Sequence, residues 1–121
     1  MGQAGNPEIV IFHNPNCGTS RNTLALLREK GVEPKVVEYL KAGWTADQLR
    51  GLLKRMNASA RDILRTRGTR AEELGLTKPD ASDEAVIAAM VADPILVERP
   101  IVETPKGAAL CRPAERVLDL I

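Results

Sequence analysis

Cys17 stands where a short apolar run gives way to a turn and then to a helical segment, and this makes it the residue best placed for chemistry. The first backbone N–H groups of a helix lack internal partners and carry the positive end of its macrodipole. A sulfur anion there is stabilised, so the thiol is expected to ionise easily and act as a nucleophile. His13, four residues earlier in the same turn, is expected to add positive charge when protonated. Ser20, three residues later, is expected to donate a hydrogen bond to the sulfur. Cys17, His13 and Ser20 are thus the candidate catalytic set.

The following residues narrow the chemistry. Cys17-Gly18-Thr19-Ser20 is not Cys-x-x-Cys, so a second thiol has to come from elsewhere. A tyrosine-phosphatase loop is also excluded, because it needs Arg six residues after the Cys. Thr23 stands there, and Arg21 falls too early.

The elements that must hold Cys17 can be read on either side of it. Ile9 to Phe12 is apolar and rich in β-branched residues, the pattern of a buried parallel strand. Cys17 to Lys30 reads as a helix with Gly31 as its stop, and Val36 to Leu40 as a second strand, together a βαβ unit. The middle reads as helical. Thr45-x-x-Gln48 is a capping box before Leu49, Leu52, Leu53 and Met56. Ser59 is expected to cap a short helix with Ile63 and Leu64, and Thr69 to Leu74 to add a turn or two. Ser82 is expected to cap a helix with Val86, Ile87, Met90 and Val91, ended by Asp93-Pro94. Strand character returns at Ile95 to Val97 and Ile101 to Glu103. A Pro105-Lys106-Gly107 turn then makes an antiparallel hairpin with Ala108 to Cys111, and Arg112-Pro113 opens a last helix. This order resembles an α/β thioredoxin-like mixed sheet with an inserted helical block, in one domain over residues 1–121.

Composition excludes other classes. Hydrophobic content of 44% and charged content of 27% suit one globular core. A net charge of +1 and only one each of Phe, Tyr and Trp argue against nucleic-acid or membrane-surface binding. Two cysteines make neither a disulfide framework nor a zinc site. The polar start to Glu8 has no secretory pattern, and no stretch approaches the roughly 18 apolar residues of a membrane span. The expectation is a cytoplasmic protein with both thiols free.

Three segments carry a closer likeness. His13-Asn14-Pro15-Asn16-Cys17-Gly18-Thr19-Ser20-Arg21-Asn22-Thr23-Leu24 resembles the active-site segment of the glutaredoxin-coupled arsenate reductases. Glu98-Arg99-Pro100-Ile101-Val102 and Leu110-Cys111-Arg112-Pro113 resemble two further signatures of that family, in the right order. An Asp-Ile-Leu-Arg-like segment of the family aligns with Arg65, although Arg61, Arg67 and Arg70 are equally plausible on sequence alone. The resemblance implies that Arg65, Arg99 and Arg112 surround an oxyanion beside the cysteine. A guanidinium fork suits that task, since it matches tetrahedral oxyanions and stays charged. Arg99 and Arg112 also each precede a proline at the edge of an apolar strand, which holds them at defined turn positions.

The resemblance implies arsenate as substrate, glutathione as co-substrate, glutaredoxin as partner, and no metal or bound cofactor. By fold analogy Pro100 is the structural residue facing the thiol, with a cis peptide bond as its special form. Cys111 reads as a strand-end packing residue, and Trp44 as a cap over the helical block. Two other readings stay open: a similar thiol enzyme for another oxyanion, and a non-enzymatic regulator of the same fold that binds RNA polymerase. Members of that regulator branch often carry Cys-x-x-Cys, which Ser20 does not match.

Overall fold

The structure is a computed structural model that describes residues 6–121; the polar start read in residues 1–5 lies outside them. The elements in chain order are β1 (Asn6–His13), α1 (Gly18–Glu29), β2 (Pro34–Glu38), α2 (Tyr39–Ala42), α3 (Ala46–Met56), α4 (Asp83–Ala92), β3 (Ile101–Thr104) and β4 (Gly107–Leu110). Short 3-10 helices span Ala60–Ile63, Pro94–Leu96 and Ala114–Leu120. The chain divides into two compact units, one formed by the chain up to Ala42 with Arg99–Ile121, the other by Gly43–Glu98. No helix of the described residues is long and apolar enough to cross a membrane.

The first unit has the expected mixed sheet, in the order β2-β1-β3-β4. β1 runs parallel to β2 and antiparallel to β3, and β3 and β4 form the antiparallel hairpin. Alternation along the strands fixes which side chains enter the core. Ile9 and Ile11 of β1 pack with Val102 of β3, Leu27 of α1, Cys111, Val117 and Leu120. Phe12 and Ile101, on the opposite pleat, are buried too. Register then creates the site: Phe12 pairs with Ile101, and Ile101 pairs with Leu110. The residues after β1, before β3 and after β4 therefore emerge at one end of the sheet. That end receives Cys17, Arg99 and Arg112.

The second unit is the expected helical block. Thr45 and Gln48 form the capping box, with Gln48 N–H donating to Thr45 Oγ1 at 3.1 Å. Leu49, Leu52 and Leu53 of α3 and Val86, Ile87 and Met90 of α4 are buried, as their helical spacing requires.

Three readings are corrected. The second strand stops at Glu38, because Glu38 pairs with His13, the last residue of β1. Beyond it no ladder partner remains, and Tyr39 starts α2. Ile95 to Val97 is not a strand. Pro94 fits the first position of a 3-10 turn closed by Leu96 N–H on the Asp93 carbonyl, and only Val97 bridges, to Leu64. The last helix is 3-10, with Pro113 just before it rather than inside. Thr69 to Leu74 makes the turn expected there, with Leu74 N–H on the Arg70 carbonyl at 2.9 Å, and Val91, carried on α4 as expected, is exposed.

A buried clamp holds the hairpin to the chain end. Thr104 Oγ1 donates to the Leu120 carbonyl at 2.7 Å and accepts from Lys106 N–H at 3.1 Å. Thr104→Val leaves both groups without that partner. The expected loss is about 1–3 kcal/mol, seen as a lower urea midpoint at unchanged slope, with Thr104→Ser largely restoring it.

Candidate active site

The loop that presents Cys17 is built by Asn14. Its carbonyl accepts Cys17 N–H at 3.0 Å, and its Oδ1 accepts Asn16 N–H at 2.9 Å, the local turn that Asn favours. Its own N–H donates to Ser20 Oγ at 3.1 Å. Cys17 is the N-cap of α1 in extended conformation, and its carbonyl receives Arg21 N–H at 3.0 Å. The thiol is half-buried.

Several groups act on the sulfur. Burial pushes the Cys17 thiol up, but this is outweighed. The Ser20 backbone N–H and the guanidinium groups of Arg99 and Arg112 hydrogen-bond it, and the Arg99 charge adds to them, so the thiol ends below its ordinary value. Arg112 Nη1 stands 3.7 Å from Cys17 Sγ and donates to the Arg99 carbonyl at 2.9 Å. Arg99 is buried, and its Nε and Nη1 have no hydrogen-bond partner among the described residues. A buried guanidinium left so short of acceptors is costly unless it serves an anion.

The parts expected of Ser20 and His13 change. The Ser20 hydroxyl is engaged with His13 Nδ1 at 2.6 Å and with Asn14 N–H, so Ser20 supports the sulfur through its backbone N–H. Burial pulls His13 below its ordinary value; Glu38 opposes this, while Arg28 and Arg21 add to it. His13 is therefore mostly neutral at pH 7 and supplies loop geometry in place of the expected positive charge.

Pro100 is buried. Both Arg99-Pro100 and Arg112-Pro113 are cis, the second of which the sequence did not suggest. The Pro100 carbonyl accepts Cys111 N–H at 2.9 Å, which ties the end of β4 to Arg99. Cys111 lies in the core, where burial pushes its thiol up to about 12 against the smaller pull of Arg116. It is the packing residue the sequence suggested.

Arg65 belongs to the second unit. Its Nη1 donates to Glu98 Oε1 at 2.8 Å, and its N–H to the Leu96 carbonyl at 2.8 Å. Among the four arginines left open there, Arg65 alone is half-buried, whereas Arg61, Arg67 and Arg70 are exposed. Among the described residues no group of His, Cys, Asp or Glu is arranged to hold a metal ion. Sequence reasoning missed Asn14, although the Asn-Pro-Asn cluster signals such a turn, and it passed over Glu98.

Comparison with known proteins places this arrangement. The ArsC family matches residues 12–120. The chain belongs to the ArsC family. The arsenate reductase ArsI2 of Synechocystis is 53% identical over 113 residues, covering 93% of this chain and 81% of that protein. An Escherichia coli arsenate reductase is 48% identical over 113 residues, with 93% and 80% covered. Among solved structures, the arsenate reductase from Vibrio cholerae superposes with a TM-score of 0.89 at 38% identity, covering 96% of this chain and all of that one. The ArsC fold is the α/β arrangement expected, with its mixed sheet and helical block.

In this ArsC chain the two thiols are expected to differ sharply. With the Cys17 value lowered, a larger share of this thiol is ionised at neutral pH than of an ordinary cysteine, and that share falls as pH falls. Limiting iodoacetamide at pH 7 therefore labels Cys17, read by peptide mapping, while Cys111 stays unreacted. Arg112→Met moves the alkylation profile of Cys17 to higher pH. Preferential labelling of Cys111 contradicts this account.

Proposed function

We propose that this protein reduces arsenate to arsenite, with Cys17 as the nucleophile and glutathione and glutaredoxin as the source of electrons. The observation that carries the reading is the Arg99 guanidinium, buried beside a stabilised sulfur with two of its nitrogens unpartnered. The names borne by the Synechocystis and Escherichia coli relatives support the substrate, and they favour an enzyme over a regulator.

The Cys17 thiolate attacks arsenic, an S–As bond forms, and an arsenate oxygen leaves as water after taking up protons. Arg99 and Arg112 stabilise the charge on the remaining oxygens, which a planar fork does well in a site partly shielded from water. Arg65 enters the proposal on its family motif alone. A glutathione thiolate then attacks the Cys17 sulfur. An S–S bond forms, the S–As bond breaks, and its electron pair goes to arsenic. Two thiols are oxidised to one mixed disulfide while arsenic passes from the pentavalent to the trivalent state. A glutaredoxin thiol attacks the glutathione sulfur and releases Cys17. His13 and Ser20 serve by holding the loop and aiming the Ser20 N–H. A reducing cytoplasm suits two free cysteines.

The test is arsenate turnover with glutathione and glutaredoxin. Cys17→Ser is expected to abolish it. Arg99→Lys and Arg112→Lys each are expected to cost about tenfold to a hundredfold, because an ammonium point charge cannot reproduce the fork. Cys111→Ser keeps near-normal turnover. Full activity in both Arg→Lys variants overturns the oxyanion assignment.

A further inference from the structure

The proposed route requires an anionic tripeptide to bring its sulfur to Cys17 while Arg99 and Arg112 hold the arsenic oxygens. Neither of those two guanidinium groups is then free for a glutathione carboxylate, so an anchor outside the oxyanion pocket is needed. We infer that Arg21 is that anchor, docking a carboxylate of the glutathione that resolves Cys17; this rests on the reading of glutathione as the second thiol.

Arg21 sits one helical turn beyond Cys17, with its N–H on the Cys17 carbonyl. Its side chain is exposed at the rim of the active-site loop, among the exposed residues Pro15, Asn16 and Gly18. Nη1 donates to the Pro15 carbonyl at 2.9 Å, and Nη2 comes within 3.7 Å of where a Cβ on Gly18 would lie. One bond to Pro15 tethers the guanidinium to the loop and leaves four of its five N–H groups without an acceptor among the described residues.

Arg28, Arg50, Arg65 and Arg70 all pair with carboxylates. Arg21 has no acidic partner among the described residues, and no Asp or Glu stands between Glu8 and Glu29. Arg28, the other cation of α1, is taken by Glu33. The surface around the thiol therefore offers one oriented, uncompensated guanidinium within a helical turn of the sulfur. A bidentate carboxylate contact is what such a group binds best. Glutathione carries two carboxylates flanking its cysteine, so one of them can engage Arg21 while the thiol reaches Cys17.

Thiol–disulfide exchange without arsenic, run in the same phosphate concentration throughout so that an oxyanion occupies Arg99 and Arg112, tests this independently of arsenate reduction. The Cys17 thiolate attacks oxidised glutathione, giving the Cys17–glutathione disulfide and releasing one glutathione thiolate. Rates are measured for wild type, Arg21→Gln and Arg21→Lys with oxidised glutathione, neutral hydroxyethyl disulfide and cationic cystamine. Arg21→Gln is expected to slow exchange with oxidised glutathione about threefold to tenfold relative to hydroxyethyl disulfide, the size of an exposed but oriented ion pair. Arg21→Lys is expected to recover part of that loss, and cystamine to show no such loss. An unchanged ratio in Arg21→Gln overturns the inference. Equal slowing with all three reagents also overturns it, since that identifies Arg21 as a clamp on the Pro15 carbonyl only. A wild-type Cys17 that reacts with hydroxyethyl disulfide but not with oxidised glutathione overturns the glutathione reading itself.

Discussion

Everything distinctive about this chain depends on favouring the anionic form of a half-buried sulfur. Removing the Cys17 thiolate from water costs free energy, and left alone that cost would keep the thiol protonated and unreactive. Three donors from separate parts of the chain reverse the balance: the Ser20 N–H at the start of α1, Arg99 before β3 and Arg112 after β4. Their convergence follows from the pairing of Phe12 with Ile101 and of Ile101 with Leu110. A slip of one residue in either ladder would turn the strand faces over and carry the arginines away from the sulfur. Core packing and catalytic geometry are thus set by the same register.

The arginines are themselves ordered by neighbours. Arg112 spans the Arg99 carbonyl and the sulfur through one nitrogen, so two cations are held close together. Like charges at such range repel, and the buried Nε and Nη1 of Arg99 gain no bonds in return. A bound oxyanion would relieve both penalties at once, which is the role proposed for these two arginines. Cys111 shows the opposite arrangement two residues from β3's neighbour Ala109: its burial is not offset, and its thiol is pushed to about 12.

The features legible in the sequence were those written in local pattern. The apolar β-branched run of β1, the Thr45–Gln48 box, the Ser82 cap and the hairpin turn all carry their instructions within a few residues. Cys17, Arg99 and Arg112 were legible because their types, the turn beside them and the family motifs agreed. What could not be read depends on distant partners. The second strand ends where β1 ends, which nothing in Val36 to Leu40 reveals. The charge of His13 is decided by burial against Glu38, with Arg28 and Arg21 on the side of burial, and the Ser20 hydroxyl by how near His13 Nδ1 comes. The pairing of Arg65 with Glu98 joins residues far apart in the chain.

The central claim is that Cys17 carries the oxidised sulfur and that its resolving thiol comes from outside the chain. The most direct measurement is mass spectrometry of protein quenched in acid after reaction with arsenate and glutathione, with glutaredoxin left out. The account predicts glutathione on Cys17, an unmodified Cys111, and arsenite formed in step with the adduct. A Cys17–Cys111 disulfide, or arsenite released while Cys17 stays free of glutathione, would contradict it.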